Sequence, residues 1–225
     1  MKKSFLNTVF VFFGLLIGLN SYSQVQDASL WMNVSIEKKI IPTLSVSINQ
    51  EFRMNENISE LGTFFTDVGL NYKINKFLKF SASYRFINKR RLDDSYSIRH
   101  RYYFDLVVRK KFNPVTLSFR TRFQSQYADV FSSEDGKIPD YYSRNKLTLK
   151  VDAGNNIQPY VYAELFSPLK RPYNVFIDNT RYCLGVEYSI NRMNTIDVFY
   201  MFQKECNVKN PETAHVIGVG YYINL

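Results

Sequence analysis

The sequence predicts an all-β protein, an antiparallel up-and-down transmembrane β-barrel of about 10–12 strands. The clearest observation is the stretch Phe77–Lys89, FLKFSASYRFINK, where residues 78 to 86 are apolar at even positions and polar at odd positions. This period of two gives an extended strand one apolar face and one charged face. In a soluble sheet the apolar face would cover a core, whereas in a membrane barrel it would meet lipid and the polar face would line the lumen.

The N-terminus has the features of a secretory signal. Lys2 and Lys3 precede an apolar run over 9–19, which is followed by the small and polar residues Asn20–Ser23. A basic start, a short apolar core and small residues before a cut predict cleavage after Ser23. A retained membrane helix needs about 17–25 apolar residues, more than this run provides. We therefore expect a signal peptide over 1–23 and one barrel domain over 24–225.

The composition favours the membrane alternative. Aromatic residues make up 16% of the chain, yet the mean hydropathy is only −0.25. Strands that alternate between lipid and water produce this combination. The net charge of +9 is compatible with nucleic-acid binding, but an exported chain rarely meets nucleic acid, so we expect none. Cys183 and Cys206 are expected to be unpaired thiols, and no Cys/His spacing indicates a metal site.

Strands with this alternation follow one another along the chain. Their apolar series lie within Leu30–Ile36, Leu44–Phe52, Phe64–Ile74, Leu78–Phe86, Ile98–Val108, Val115–Phe123, Leu147–Val151, Ile157–Leu165, Tyr182–Tyr188, Ile196–Phe202 and Ile217–Leu225. The strand near Ile196–Phe202 has two poorly separated faces, which predicts a β-bulge there. A transmembrane β-strand needs about 9–11 residues, a length that these segments reach once their flanks are included.

The connections alternate between short and long. Tight turns are predicted near 42, 76, 113, 155 and 191, and the longest loop is predicted over 128–140. In outer-membrane barrels the short turns face the periplasm and the long loops face outward, so one orientation fits the whole chain. Bacterial single-chain barrels usually have even strand numbers. We therefore expect ten or twelve strands, with one strand missed or split, or a passage of 24–29 through or under the barrel.

Four segments carry a family resemblance: LWMNVSIEKKI, LSVSINQEFRMNE, DVGLNYKINKFLKFSASYRF and HVIGVGYYINL. They resemble the domain of unknown function 2490, a family of exported proteins predicted to be outer-membrane β-barrels, over nearly all of the mature chain. The resemblance implies a porin-like barrel in the outer membrane of a Gram-negative bacterium. Its expected partners are outer-membrane lipid and the barrel-assembly machinery. The resemblance supplies no activity.

The lumen-facing series is rich in charge. The candidate lumen charge network consists of Asp67, Arg85, Arg99, Arg101, Asp105, Arg120, Arg122, Arg144, Lys146 and Glu164. The predicted hairpin registers place Asp67 opposite Arg85, Asp105 opposite Arg122, and Lys146 opposite Glu164. A desolvated charge is costly unless partnered, so these pairs favour a structural network. Arg99, Arg101 and Arg144 have no local partner and could serve a small anionic solute, so both readings stay open.

No catalytic constellation or cofactor is predicted. His100 and His215 share the parity of the lipid-facing series, which argues against a Ser-His-Asp arrangement. Asp93-Asp94 and Glu134-Asp135 are interpreted as solubilising loop residues. One set of tyrosines is predicted to form interfacial girdles. It comprises Tyr84, Tyr102, Tyr103, Tyr141, Tyr142, Tyr221 and Tyr222.

Three functional hypotheses remain after the sequence is read. The first is a non-enzymatic outer-membrane barrel, either structural or a narrow conduit with a weak preference for anions. The second is an outer-membrane enzyme that acts on lipid or on a surface polymer at the loop rim. The third is a soluble exported β-protein.

Overall fold

The computed structural model describes residues 26–128, 140–169 and 176–225, which form one closed β-barrel. The predicted signal peptide over 1–23 and the acidic pair Glu134-Asp135 lie outside these residues. No helix among the described residues is long and apolar enough to cross a membrane.

Eleven strands make up the described barrel, and each pairs with its neighbours in sequence. They are β1 (Gln26–Ile41), β2 (Leu44–Asn55), β3 (Glu60–Lys73), β4 (Leu78–Arg90), β5 (Tyr96–Phe112), β6 (Val115–Ala128), β7 (Asp140–Val151), β8 (Ile157–Pro168), β9 (Asn179–Ser189), β10 (Asn194–Glu205) and β11 (Thr213–Asn224).

The barrel closes by a parallel pair between its first and last strands. β1 and β11 are in register from Gln26 opposite Thr213 to Glu37 opposite Asn224, whereas all the other neighbouring strands are antiparallel. The predicted range of about 10–12 strands is confirmed, but the preference for an even number, ten or twelve, is wrong for the described chain. With an odd number, the first and last strands run in the same direction and can close only as a parallel pair. Residues 26–29 belong to this pair and do not pass through or under the barrel.

One end of the barrel, the turn side, carries the five tight turns at the predicted positions. Asparagine side chains shape two of them. The Asn75 side-chain oxygen accepts hydrogen bonds from the amides of Phe77 and Leu78 at 2.8 and 2.9 Å. Asn191 accepts equivalent bonds from residues 193 and 194. Asx turns of this kind replace backbone pairing where the chain reverses. The other end, the loop side, carries the longer connections between consecutive strands.

The two faces of the sheet are separated as the alternation predicts. Phe80 and Phe104 lie outside, with ring centroids 6.1 Å apart, while Arg85 is buried in the lumen. Every strand has large apolar side chains exposed on the outer surface of the barrel. This band is what a lipid-facing surface requires.

The bulge predicted in β10 is absent from the described strand. β10 keeps continuous register with both β9 and β11 over residues 194–204. Its faces are poorly separated because the lumen side is apolar there: buried Met201 packs with Cys183 and Val216, and Phe199 joins this cluster. Register shifts occur instead in β1, between Lys39 and Ile41, and in the pairing of β2 with β3 at Arg53.

Glycine makes room for aromatic rings on this apolar side of the lumen. A Cβ at Gly218 would lie 2.0 Å from the ring of Phe199, and one at Gly185 would lie 2.6 Å from that of Tyr160. The rings therefore lie flat on neighbouring strands, where only a residue without a side chain allows so close an approach.

Adjacent residues at the middle of β1 test the assignment of faces. Val34 points outward, whereas its neighbour Asn33 lines a lumenal cavity. Val34→Arg is expected to destabilise the folded barrel by about 2–4 kcal/mol, because it places a charge in the hydrocarbon layer. Asn33→Arg is the matched control and should fold, because its guanidinium reaches water in the cavity and faces Glu51. Unfolding by denaturant in lipid vesicles, read on a heat-modifiability gel, measures both. Equal losses for the two variants would contradict the assignment.

Candidate functional site in the barrel lumen

Two buried arginine–aspartate pairs lie on the lumen wall in the predicted registers. Arg85 faces Asp67 across β3 and β4, and its Nε and one terminal nitrogen each donate to a carboxylate oxygen at 2.7 Å. Arg122 faces Asp105 across β5 and β6, with equivalent distances of 2.6 and 2.7 Å. Bidentate pairs of this kind fix both side chains and satisfy most of the desolvated charge.

Glu164 is the centre of a larger cluster. Its side chain is 2% exposed, and it accepts from Arg144 at 2.9 Å and also from Arg120. Arg181 approaches the second carboxylate oxygen at 3.9 Å. Three guanidinium groups thus share one carboxylate.

Lys146 and Arg144 are placed differently from the sequence interpretation. The register does put Lys146 opposite Glu164, but the Lys146 ammonium lies over the ring of Tyr162, 4.8 Å from its centroid. The predicted register is confirmed, but among the described residues no ion pair joins Lys146 to Glu164. Arg144, predicted to have no local partner, takes that carboxylate instead. It lies opposite Phe166, two residues along β8, so its long side chain reaches Glu164 diagonally.

Arg99 and Arg101 have neutral partners. Arg101 Nε donates to the side-chain oxygen of Gln126 at 2.9 Å, and Arg99 Nε donates to Ser97 at 3.3 Å. Within the described residues no carboxylate forms an ion pair with either guanidinium. These two charges remain uncompensated by direct contact.

Arginine and aromatic side chains alternate around the lumen, which the sequence interpretation did not foresee. We call this set the arginine–aromatic belt: Trp31, Arg53, Phe65, Arg85, Tyr103, Arg122, Arg144, Phe166 and Arg181. The guanidinium carbons of Arg53, Arg85 and Arg122 lie 3.5, 3.6 and 3.8 Å from the ring centroids of Trp31, Phe65 and Tyr103.

The belt runs from β1 to β9 and returns across the lumen. Arg181 is 4.7 Å from the ring of Phe166 and 5.2 Å from that of Trp31. A guanidinium over an aromatic face is stabilised by the ring quadrupole, most strongly when both are desolvated. The signal that would have found the belt is the presence of aromatic residues, such as Phe65 and Phe166, at lumen-facing positions.

The belt lies between two lumenal cavities. The turn-side cavity has a volume of about 470 Å³ and lies between Arg120 and Lys146 on one wall and Asp197 and Glu187 on the other. The loop-side cavity has a volume of about 260 Å³ and is lined by Arg101 and by several residues of β6 to β10. Belt residues reach both cavities, since Trp31 and Arg53 line the turn-side cavity and Phe166 lines the loop-side cavity.

The prediction of interfacial girdles is correct for only some of the seven tyrosines. Tyr102 is exposed on the outer face, but its neighbour Tyr103 is buried in the lumen over Arg122. Tyr142 donates to Asp178, and Tyr222 lines the turn-side cavity. Consecutive residues of a strand point to opposite faces, so the adjacent pairs cannot both reach the membrane interface.

Both histidines lie outside the barrel, as their parity predicts. His100 Nδ1 is 2.7 Å from the hydroxyl of Tyr84, and His215 Nδ1 is 2.7 Å from that of Tyr200. Phe86 and Phe202 pack against the same two imidazole rings. Neither histidine shares a face with the lumenal carboxylates.

The remaining candidates have local roles. Ser95 donates to the Asp93 carboxylate at 2.6 Å through its hydroxyl, which holds the Asp93 pKa below its ordinary value. Asp94 forms an ion pair with Arg90 at 2.5 Å. Cys183 and Cys206 are both free thiols. Within the described chain, no group of three or more His, Cys, Asp or Glu residues is arranged to hold a metal ion.

The sequence matches one protein family, described as a protein of unknown function (DUF2490), over residues 28–213. No curated protein matches the sequence. Among solved structures, the chain is similar to the NanC porin in its rhombohedral crystal form, with a TM-score of 0.56 and 12% identity over 88% of this chain and 99% of that one. It is also similar to the beta domain of the Bordetella autotransporter BrkA, with a TM-score of 0.51 and 10% identity over 80% and 82% of the two chains. These likenesses show the fold of outer-membrane β-barrels.

The buried pair of Arg122 and Asp105 provides a test of the lumenal charge balance. Asp105→Asn is expected to destabilise the barrel by about 3–5 kcal/mol, because it leaves the Arg122 charge buried without its partner. The control is Asp152→Asn, which removes a carboxylate 3.8 Å from Lys111 where both side chains are largely exposed. An exposed pair contributes about 0–1 kcal/mol.

Equilibrium unfolding in urea, with the barrel refolded in lipid vesicles, measures both losses. The double variant Asp105→Asn/Arg122→Met should recover part of the loss, because it removes the orphaned charge. A loss for Asp105→Asn no larger than that for Asp152→Asn would show that the lumenal pair is solvated like a surface pair.

Proposed function

Because the chain belongs to the DUF2490 family and folds as a closed barrel of the outer-membrane type, we propose that it is an outer-membrane protein whose lumen passes small anions at low conductance. The outer membrane of a Gram-negative bacterium, reached after removal of the signal peptide near Ser23, is the proposed location. Outer-membrane lipid and the barrel-assembly machinery are its proposed partners, with the turn side in the periplasm.

The outer surface supports this location. Apolar side chains such as Val34, Phe104 and Val198 are about half exposed and continue around the barrel. In water, a contiguous apolar surface of this extent favours aggregation. In a membrane, the same surface is the normal lipid-facing band of a β-barrel. A soluble exported protein would have to cover it.

The charge of the lumen is the observation that carries the anion preference. Seven lumen-facing arginines lie at or beside the belt: Arg53, Arg85, Arg101, Arg120, Arg122, Arg144 and Arg181. Among the described residues, four carboxylates form ion pairs with them: Glu51, Asp67, Asp105 and Glu164. These seven arginines thus outnumber their ion-paired carboxylates by three, and rings of Arg and Lys favour anions in pores.

The width of the barrel supports low conductance. A barrel of about eight strands is filled by its own side chains, whereas barrels of 16–18 strands leave an open aqueous channel. Eleven strands lie nearer the filled limit, and the belt places large rings and guanidinium groups inside the lumen. Only small solutes are expected to pass.

A non-enzymatic role is part of the proposal. The two histidines lie on the outer face, away from the lumenal carboxylates. At the loop rim, Asp93 and Asp94 are engaged by Ser95 and Arg90. These contacts give the rim carboxylates turn-forming roles and support a conduit over a hydrolase acting on lipid or surface polymer.

Single-channel recording in planar bilayers tests the proposal. The purified barrel should produce small current steps, and under a KCl gradient the reversal potential should have the sign of chloride selectivity. Arg101→Gln removes one uncompensated lumenal charge and should shift the reversal potential towards zero. Lys110→Gln removes a charge from an exposed side chain at the end of β5 and serves as the matched control. Cation selectivity, or no current at all, would overturn the proposal.

A further inference from the structure

The lumen face of β6 and β7 carries two rows of directly opposed cations. Arg120 lies opposite Lys146, and Arg122 lies opposite Arg144. Side chains directly opposite each other on one face are close neighbours, and like charges in such positions destabilise a sheet. Four cations on two adjacent strands therefore need negative charge close by.

The carboxylates present satisfy only part of this need. Asp105 is taken by Arg122 in a bidentate pair, and Glu164 is shared by Arg144, Arg120 and, more distantly, Arg181. Four arginines thus share two carboxylates. No carboxylate of the described residues forms an ion pair with Lys146, and Arg120 Nε is buried without a hydrogen-bond partner.

Lys146 and Arg120 both line the same turn-side cavity. The next pair towards the turns, Ser118 opposite Thr148, also lines it, and neither hydroxyl is hydrogen-bonded within the described chain. This wall therefore presents a guanidinium group, an ammonium and two hydroxyls, all able to donate. A buried donor left unpaired is costly, most of all when it is charged.

The opposite wall has acceptors that already have donors. Glu51 accepts from Arg53 at 2.6 Å, Glu187 from Lys150 at 2.5 Å, and Asp197 from the Tyr160 hydroxyl at 3.0 Å. Two of these carboxylates are neutralised by ion pairs with Arg53 and Lys150. By contrast, Lys146 on β7 has no carboxylate partner among the described residues, which places the anion-attracting wall on β6 and β7.

We infer that the turn-side cavity is a binding site for one small oxyanion, a carboxylate or phosphate group held by Arg120 and Lys146, with Ser118 and Thr148 as further donors. The volume of about 470 Å³ is within the range of small-molecule sites. This inference rests on the proposed function, because the anion enters through the lumen. It adds a discrete, saturable site to a general preference for negative charge.

Trp31 provides the signal for a binding experiment. It is the only tryptophan of the 225-residue chain, it lines the same cavity, and its ring lies 3.5 Å below the guanidinium of Arg53. The refolded full chain in detergent is titrated with sodium phosphate and, separately, with sodium acetate, at constant ionic strength set by sodium chloride. Saturable change in Trp31 fluorescence with either anion is expected, and the anion that gives it identifies the group bound.

Lys146→Gln should weaken the apparent affinity about tenfold or more, because it removes a charged donor to the anion. Lys110→Gln, outside the lumen, should leave the affinity unchanged. Arg120→Lys is a second variant, which keeps the positive charge beside Glu164 but removes the planar guanidinium and its several N–H donors, and it should also weaken binding. Heat-modifiability gels establish which variants are folded before they are titrated.

The binding and conductance experiments can fail separately. No saturable response to either anion, or unchanged affinity in both folded site variants, would overturn the binding site while leaving chloride selectivity in bilayers intact. Saturable binding that depends on Lys146, in a barrel that carries no current, would support the site and overturn the conduit.

Discussion

A backbone amide that faces hydrocarbon has no water to bond, so the whole structure depends on the parallel pair of β1 and β11 that leaves no strand edge open. Twelve residues of each strand are in register along this seam. The closing strand also ends beside the first one, where the amide of Leu225 donates to the carbonyl of Glu37 at 2.8 Å. The seam is parallel because the strand number is odd, and β1 therefore begins on the loop side.

Closure with eleven strands also explains how the lumen is filled. The interior is too narrow for hydrated arginines to remain apart, so most of the lumenal guanidinium groups stack on a ring, pair with a carboxylate, or do both. Arg85 does both, with Asp67 in the plane of its guanidinium and Phe65 against its face. In this arrangement the N–H groups at the edge of the guanidinium bind the carboxylate, while its weakly hydrated face lies against the aromatic ring. The lumen can therefore hold more arginines than carboxylates.

The lumen has two chemically different sides. On β9 to β11, the apolar cluster of Cys183, Met201 and Val216 and the ring of Phe199 over Gly218 fill part of the lumen, beside Arg181, Glu187 and Asp197. On β2 to β8, arginines and carboxylates form most of the wall. Arg120 and Lys146 lie on this charged side and line the turn-side cavity. An anion in the lumen is thus drawn to one wall, and this asymmetry links the proposed conduction to a discrete site.

Local pattern was enough to predict which face of each strand meets lipid, because the side-chain period of a strand is two whatever its neighbours are. Short turns added register, and the cross-strand neighbours of Asp67 and Asp105 follow from the turns at 76 and 113. The same local reasoning failed where the lumen side is apolar, as at Met201, and where two tyrosines are adjacent, as at Tyr102 and Tyr103. Local reasoning also could not identify which lumenal aromatic residues contact arginine side chains.

By itself, the sequence determined the barrel class, the orientation of the faces and the pairs joined by tight turns, since these depend on residues close together in the chain. Only the tertiary structure decided the parallel seam, the diagonal reach of Arg144 to Glu164 and the return of the belt from Arg181 to Trp31. Closure brings together strands that are distant in sequence, and long side chains then contact whichever partners lie within reach across the lumen. The periodicity of the sequence does not predict these contacts.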